Sequence, residues 1–457
     1  VGKLTDSEIL SIITSKTGQA ETSSREIQDE RENSLKLYNQ ELFGNEQEGR
    51  SQVITSDVRD AIEWMLPQII EMFIGVNNPI QFIPRNADDI EDAEQESKYV
   101  NYVYTQQNNG FLNTYTWFKD ALLQKNGILK AFWDEVIEDT KEEYNNQSFG
   151  ELGKLIDDDE LEITKITVNL EEERSFKTVD LFNAAIKKGD IDISDLDLTF
   201  GIEATRSENI SQVQINPVAP ENFTILNLDH NSLDLTDTEC RENIFITASD
   251  LIADGYDRHL VDDIPGDKQE LLDSESQQRF KKEGGLILND TGDSKDTRRI
   301  MVSDIYIKLD DDDDGIAELR FIKLAGDSVI LENEKVDSVP YFAITPNILT
   351  HKFYGMSIAD MIADLQLIKS TLWRQSLDSL YLSNNPRTVV ARGKVEIDDL
   401  LTSRPGGVIR ADSIDSLREY STPFVGQHAL PMMDLIDRMR EERIGVSAVT
   451  QGLDPNA

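Results

Sequence analysis

Residues 346–435 constrain the fold more than any other part of the chain: they read as one long helix, a compact excursion, and a second helix coming back. Ile358, Met361, Ile362, Leu365, Ile368, Leu372 and Leu380 recur at three- and four-residue spacing with no Gly or Pro between them, which predicts a helix over residues 357–382. Asn384-Asn385-Pro386 marks its end. At about 1.5 Å per residue this helix is about 40 Å long, more than one small domain needs to cover its own core. It is expected to pack against something larger than itself. The returning helix is expected to begin near Pro431, where a first-turn proline lacks only an N–H that would be unpaired anyway, and to run to about Arg443.

The excursion, residues 384–422, contains Pro386-Arg387, Arg392-Gly393-Lys394, Arg404-Pro405-Gly406-Gly407 and Arg410. Its six basic and six acidic residues cancel, whereas the 457-residue chain sets 45 Lys and Arg against 87 Asp and Glu, a net −42. The deficit is regional: residues 356–457 hold 11 basic and 14 acidic residues, net −3, which leaves −39 for the first 355. Such a charge argues against broad wrapping of nucleic acid, whose affinity comes mainly from Lys and Arg neutralising phosphates. The excursion's apolar residues (Val389, Val390, Val395, Ile397, Leu400, Leu401, Val408, Ile409, Ile414, Leu417) come in short pieces. A segment of this size seldom sustains an isolated core, and burial against neighbouring copies would solve that.

Upstream, residues 1–50 are polar with patchy helical periodicity, as over 25–38, and read as an outer helical segment. Asp57 reads as the cap of an amphipathic helix (Val58, Ala61, Ile62, Met65, Leu66, Ile69, Ile70, Phe73, Ile74), bent at Pro67. Helices follow at 93–106 and 111–125, the second closed by Asn126-Gly127. From Ile128 the texture becomes α+β: strands at 128–136, 161–170, 212–217 and 223–228 with a helix at 179–188. A short helix is expected at 250–255 and a charged surface loop at 263–296. Hairpin arms at 305–309 and 316–324 flank an aspartate run, with further strands at 329–331 and 339–344.

Apolar content of 39% is that of a globular protein with two to four core-bearing regions. No run of about 18 apolar residues exists to span a bilayer, and the first residues lack an apolar signal core, so a soluble cytosolic chain without membrane contact is expected. Cys240 is alone and expected to be a small buried side chain; His230, His259, His351 and His428 are never at ligand spacing. Trp64, Trp117, Trp133 and Trp373 read as core or subunit-contact residues.

Asp310, Asp312 and Asp314 occupy positions one, three and five of an acidic calcium loop with Gly315 at six, but position twelve is Phe321 and the nearest acid is Glu318 at nine. Two readings stay open, a calcium site on Asp310, Asp312, Asp314 and Glu318, and a solvated acidic turn. No phosphate-cradling loop, nucleophile elbow or zinc motif is present, and the chain reads as no enzyme.

Several segments, in order across most of the chain, resemble the portal or head-to-tail connector proteins of tailed bacteriophages, particularly the large portal type of short-tailed phages. They are Gly49-Arg50-Ser51-Gln52-Val53, Asp57-Val58-Arg59-Asp60-Ala61-Ile62-Glu63-Trp64-Met65-Leu66-Pro67, Phe118-Lys119-Asp120-Ala121-Leu122-Leu123 through Asn126-Gly127, and Ala219-Pro220-Glu221-Asn222-Phe223. Further on come Ser249-Asp250-Leu251, Gly255-Tyr256-Asp257, Asp314-Gly315-Ile316-Ala317-Glu318-Leu319-Arg320, Tyr354-Gly355-Met356-Ser357 and the run from Leu380 to Arg387.

The resemblance implies an α+β portal fold: an outer helical segment (1–50), a helical and β-rich wing (51–345), an outgoing stem helix (346–383), a small α/β clip (384–422), a returning stem helix (423–445) and a tunnel-loop-like end (446–457). It implies a homo-dodecameric ring at one capsid vertex of the virion, assembled in the host cytoplasm, through which double-stranded DNA passes. Major capsid and scaffolding proteins, the terminase large subunit and a tail adaptor are the implied partners. In a ring, some of Lys369, Arg374, Arg438, Arg440 and Arg443 would face the channel or a neighbour; on an isolated helix they would be solvated or paired, as Asp434 with Arg438 by spacing. Arg387, Arg392, Lys394, Arg404 and Arg410 would form the clip's partner surface, and Ser447, Thr450, Gln451 and Gly452 the tunnel loop. The rivals are an acidic intracellular scaffold or adaptor without a DNA channel, and a calcium-dependent hydrolase around Asp310.

Overall fold

The structure is a computed structural model that describes residues 4–75, 79–158, 161–169, 174–188, 199–227, 238–264, 278–279, 297–311, 314–384, 386–402, 406–420, 423–424 and 426–446. Asp312, Arg404, Ser447, Thr450, Gln451 and Gly452 lie outside the described residues, as do most of 263–296. The chain divides into two compact units, residues 1–130 with 216–457, and residues 131–215.

In the larger unit the first 50 residues are dominated by a single 33-residue helix, α1 (Asp6–Tyr38), opened by a reciprocal box in which the Thr5 amide donates to Glu8. It buries Ile9, Ile13, Ala20 and Leu35 and so contributes to the core of the larger unit. In α2 (Asp57–Ile74) the cap is Ser56; Asp57, expected as the cap, is the first helical residue and is buried. Then come α3 (Ile90–Tyr102), a π-helical turn over Val103–Gln107 and α4 (Gly110–Gln124). Lys125, not Asn126-Gly127, is the cap residue of α4, with a positive φ of +77°. That strained backbone is held because the buried Lys125 ammonium lies 2.8 Å from Glu30 and 2.5 Å from Asp360.

The chain leaves along β1 (Gly127–Asp134) for the smaller unit: β2 (Ile137–Gln147), α5 (Phe149–Ile156), β3 (Leu161–Asn169), β4 (Arg174–Phe176), α6 (Val179–Lys188) and β5 (Thr199–Asn209). It returns along β6 (Gln212–Val218). Strand order β2-β5-β3-β4 is antiparallel throughout, and the apolar residues of β3 and β5 meet Leu152 of α5 and Phe182 of α6 in a core of their own.

Back in the larger unit, β7 (Phe223–Ile225), β8 (Cys240–Thr247), α7 (Ala248–Ala253), α8 (Arg258–Asp263), β9 (Arg299–Leu309), β10 (Glu318–Ala325) and β11 (Val329–Lys335) follow. They give a five-stranded antiparallel sheet ordered β11-β10-β9-β8-β7. The aspartate run joins β9 to β10 as expected, in register Glu318↔Leu309 to Ala325↔Val302. Ile305, Ile307, Ile322 and Leu324 of this sheet pack on α1, while Ile300, Val302 and Ala325 pack on α7 and α8. Then β12 (Tyr341–Ile344) pairs with β1, whose other neighbour is β6.

The C-terminal third is α9 (Ile358–Asn384), β13 (Arg387–Val390), α10 (Ile397–Leu401), β14 (Leu417–Tyr420) and α11 (Gly426–Ile444). The returning helix therefore starts five residues before Pro431, which lies in its second turn and withholds the N–H that the Gln427 carbonyl would accept. Ile358, Ile362 and Leu365 of α9 and Ile436 of α11 join Leu35, Val58, Ile62, Leu66, Phe118 and Leu122 in one helical core. Among the described residues no helix is long and apolar enough to cross a membrane.

Candidate functional site

The pairing of α9 with α11, and the segment between them, is where sequence and structure concentrate unusual features. The entry to α9 is a tight turn: a Cβ on Gly355 would collide with the Asn347 carbonyl and the Thr345 methyl, so only glycine fits there. Ser357 and Asp360 then cap the helix reciprocally, the Ser357 amide donating to Asp360 at 2.8 Å and the Asp360 amide to Ser357 Oγ at 3.1 Å.

One side of α9 is stitched to the residues before α2. Gln366 accepts from the Val58 amide at 2.9 Å, and Ser370 Oγ from the Thr55 amide at 3.0 Å. Arg374 donates to the Val53 carbonyl at 2.9 Å and to Asn45 at 2.8 Å, and lies 2.6 Å from Glu46; Asp378 accepts from the Ser51 amide at 2.8 Å. Gly49-Arg50-Ser51-Gln52-Val53 thus belongs to the strip bound along the long helix.

Four charges join α2, α9 and α11. Lys369 Nζ reaches Asp57 at 2.8 Å and Asp437 at 2.5 Å; Arg440 reaches the same Asp57 oxygen at 2.8 Å and lies over the Trp64 ring at 5.0 Å. Burial pushes the Asp57 carboxyl up, but the hydrogen bonds from Lys369 and Thr55 and the charges of Lys369 and Arg440 outweigh it and hold the group below its usual range. Arg443 pairs with Asp364 at 2.6 Å and holds that carboxyl low. Of the five basic groups anticipated on these helices, Lys369, Arg374 and Arg440 are thus largely buried ion-pair members within the chain, and Arg443 is paired at the surface. Arg438 is exposed and, among the described residues, has no ion pair, with Asp434 or with any other acid.

Flanking these contacts, both helices carry exposed apolar side chains. Met432, Leu435 and Met439 of α11 sit at i, i+3 and i+7 on one exposed stripe, and Leu367, Ile368, Leu380 and Leu382 of α9 are exposed as well. Between the helices, β13 and β14 pair as a two-stranded ladder from Arg387↔Tyr420 to Val390↔Leu417, with a single bridge Val395↔Ala411 beyond it. Arg410 makes a two-point contact with Asp399 of α10 at 2.8 and 2.9 Å. Arg387, Arg392 and Lys394 are exposed without ion pairs among the described residues. Of the described residues in 386–420, Ser416 alone is buried, whereas Ile414 is 96%, Val408 78% and Leu401 76% exposed.

Elsewhere, the described acids of the aspartate turn are engaged within the chain. Asp310 accepts from the amides of Asp314 (3.1 Å) and Gly315 (2.9 Å), Asp314 from the Ile316 amide (2.7 Å), Asp311 pairs with Arg320, and Glu318 with Lys335. Gly315 supplies the positive φ, +87°, that the turn requires. Among the described residues no three His, Cys, Asp or Glu side chains are grouped to hold a metal. Cys240 is buried and its thiol pushed far up by burial and the nearby Glu242 and Asp304, which makes it unreactive.

The family described as Phage SU10 portal protein matches residues 9–457, nearly the whole chain. The chain belongs to this portal protein family. The match extends over both compact units, the helix pair and its intervening segment included. No curated protein matches the chain.

Proposed function

We propose that this chain is one subunit of a closed portal ring, by family resemblance a dodecamer, at one vertex of the phage capsid, and that double-stranded DNA enters and leaves through its centre. In this reading α9 and α11 are the stem, residues 386–420 the clip, and the remainder the wing embedded among capsid and scaffolding proteins. The observation that carries it is the clip: a ladder and one short helix with a single buried residue among those described and Ile414, Val408 and Leu401 in water, attached to helices whose Met432–Leu435–Met439 stripe is also uncovered. Such surfaces are stable when copies cover one another, and head-to-tail contacts that repeat at a fixed rotation close into a ring.

The clip then projects from the shell and presents Arg387, Arg392 and Lys394 to the terminase large subunit during packaging and to a tail adaptor afterwards. Arg438 is the stem cation left to meet phosphate, because its neighbours are held by carboxylates. With Arg438 the one stem cation outside an ion pair among the described residues, and −39 of the net −42 carried by the first 355 residues, the ring conducts DNA without gripping it. Duplex binding measured against salt tests this: the account expects weak binding that disappears as salt rises and a measurable loss in the R438A variant. Tight, sequence-selective binding that survives high salt contradicts it.

A further inference from the structure

Beside the N-terminal end of α9, where Lys125 pairs with Asp360, the larger unit contains a further buried charge site. Asp120 of α4 and Glu221, in the short 3₁₀ turn Pro220–Asn222, bring two carboxylates to one place with side chains only 7% and 2% exposed. Two carboxylates so withdrawn from water require a cation. It comes from the charged stretch expected as a surface loop. Arg279 Nε and Nη2 meet the two Glu221 oxygens at 2.7 and 2.8 Å, Nη1 meets Asp120 at 3.0 Å, and Nη2 also meets Gln124 Oε1 at 3.0 Å. Gln278 beside it donates to Glu41.

The nearby Arg31 does not fill this role. Its three donors go to neutral acceptors, the Gln124 and Pro220 carbonyls and Asn126 Oδ1, and its plane lies over Tyr354. We infer that Asp120, Glu221 and Gln124 form a guanidinium-binding site, filled in this chain by its own Arg279. The shape of the site is specific: three acceptor residues lie around one plane, which a planar fork of N–H groups satisfies at once and a single ammonium does not. Burial raises the Asp120 carboxyl above its usual range, against the pull of Arg279 and Arg31 and with the push of Glu221. An empty site is accordingly most costly where both carboxylates are ionised.

The test uses the full chain and the small cation methylguanidinium. R279A is expected to lower the unfolding temperature by about 5 °C or more, with a smaller loss at about pH 5 than at about pH 8 as Asp120, already raised by burial, takes up a proton. Millimolar methylguanidinium should recover part of the loss, whereas methylammonium or sodium chloride at equal ionic strength should not, and R279K should remain impaired. Unfolding of R279A at the parent temperature, or equal recovery by methylammonium, overturns the assignment. Should R279A not fold, the triple variant R279A/D120N/E221Q, which removes charge on both sides, is expected to fold and to show no methylguanidinium effect. Failure of the triple variant to fold, or a methylguanidinium response in it, also overturns the proposal.

Discussion

Arg438 and Arg440 stand two residues apart on α11 and have opposite physical situations, which makes them the sharpest pair of substitutions in the chain. Arg440 shares Asp57 with Lys369 beneath Trp64, so R440A leaves buried carboxylate charge half-compensated and is expected to cost about 3–5 kcal/mol. R438A removes an exposed, unpaired cation and is expected to change stability by no more than about 0.5 kcal/mol. Chemical denaturation of the two variants side by side checks the contrast; equal losses would contradict the placement of these side chains. Neutralising all five stem cations together would therefore report on folding before it reported on DNA. The same joint predicts acid sensitivity. Because the Asp57 pKa is lowered in the folded chain, its contribution is complete at neutral pH and is lost as pH falls below about 4. D57N should flatten that acid limb of the stability profile while lowering stability at pH 7.

At the scale of elements, α9 and α11 make a similar distinction between side chains that hold the chain together and side chains left open to water. Leu365 is inside the helical core of the single chain, so L365D should unfold the larger unit and says nothing about assembly. L435D/M439D alters only the open stripe of α11; circular dichroism should be unchanged while the sedimentation coefficient falls to that of a smaller species. In the clip, R392E/K394E should weaken binding of the packaging motor or tail adaptor with rings intact, since neither side chain supports the ladder. Retained binding to both partners would count against that surface. The sequence made α9 and α6 legible, because an unbroken three-and-four spacing in one, and the short amphipathic run of 179–188 in the other, admit few alternatives. Strand β2 was not legible: Ile137–Gln147 has almost no apolar alternation, and it is held by its pairing with β5, a partner remote in sequence. The docking of residues 43–56 along α9 and the burial of Arg279 escaped for a related reason, since polar strips docked by side-chain hydrogen bonds have no periodicity to read. Asp57 and Pro431 were each misplaced by a rule of local preference that tertiary contacts outweighed.

At the scale of the whole molecule, residues 131–215 carry a complete core of their own, whereas residues 386–420 do not, and only the second fact demands partners. The smaller unit should therefore be able to show a separate cooperative transition in calorimetry of the full chain, unaffected by L365D. For the clip and stem the account makes one central claim, that their uncovered apolar side chains are covered by other copies of the chain. High-resolution imaging of the purified particle tests it most directly. The account predicts a single closed ring with a central opening, α9 and α11 around the axis, and Ile414, Leu435 and Met439 buried between adjacent subunits. A monodisperse monomer, or an assembly without a central opening in which those side chains remain in water, would contradict it.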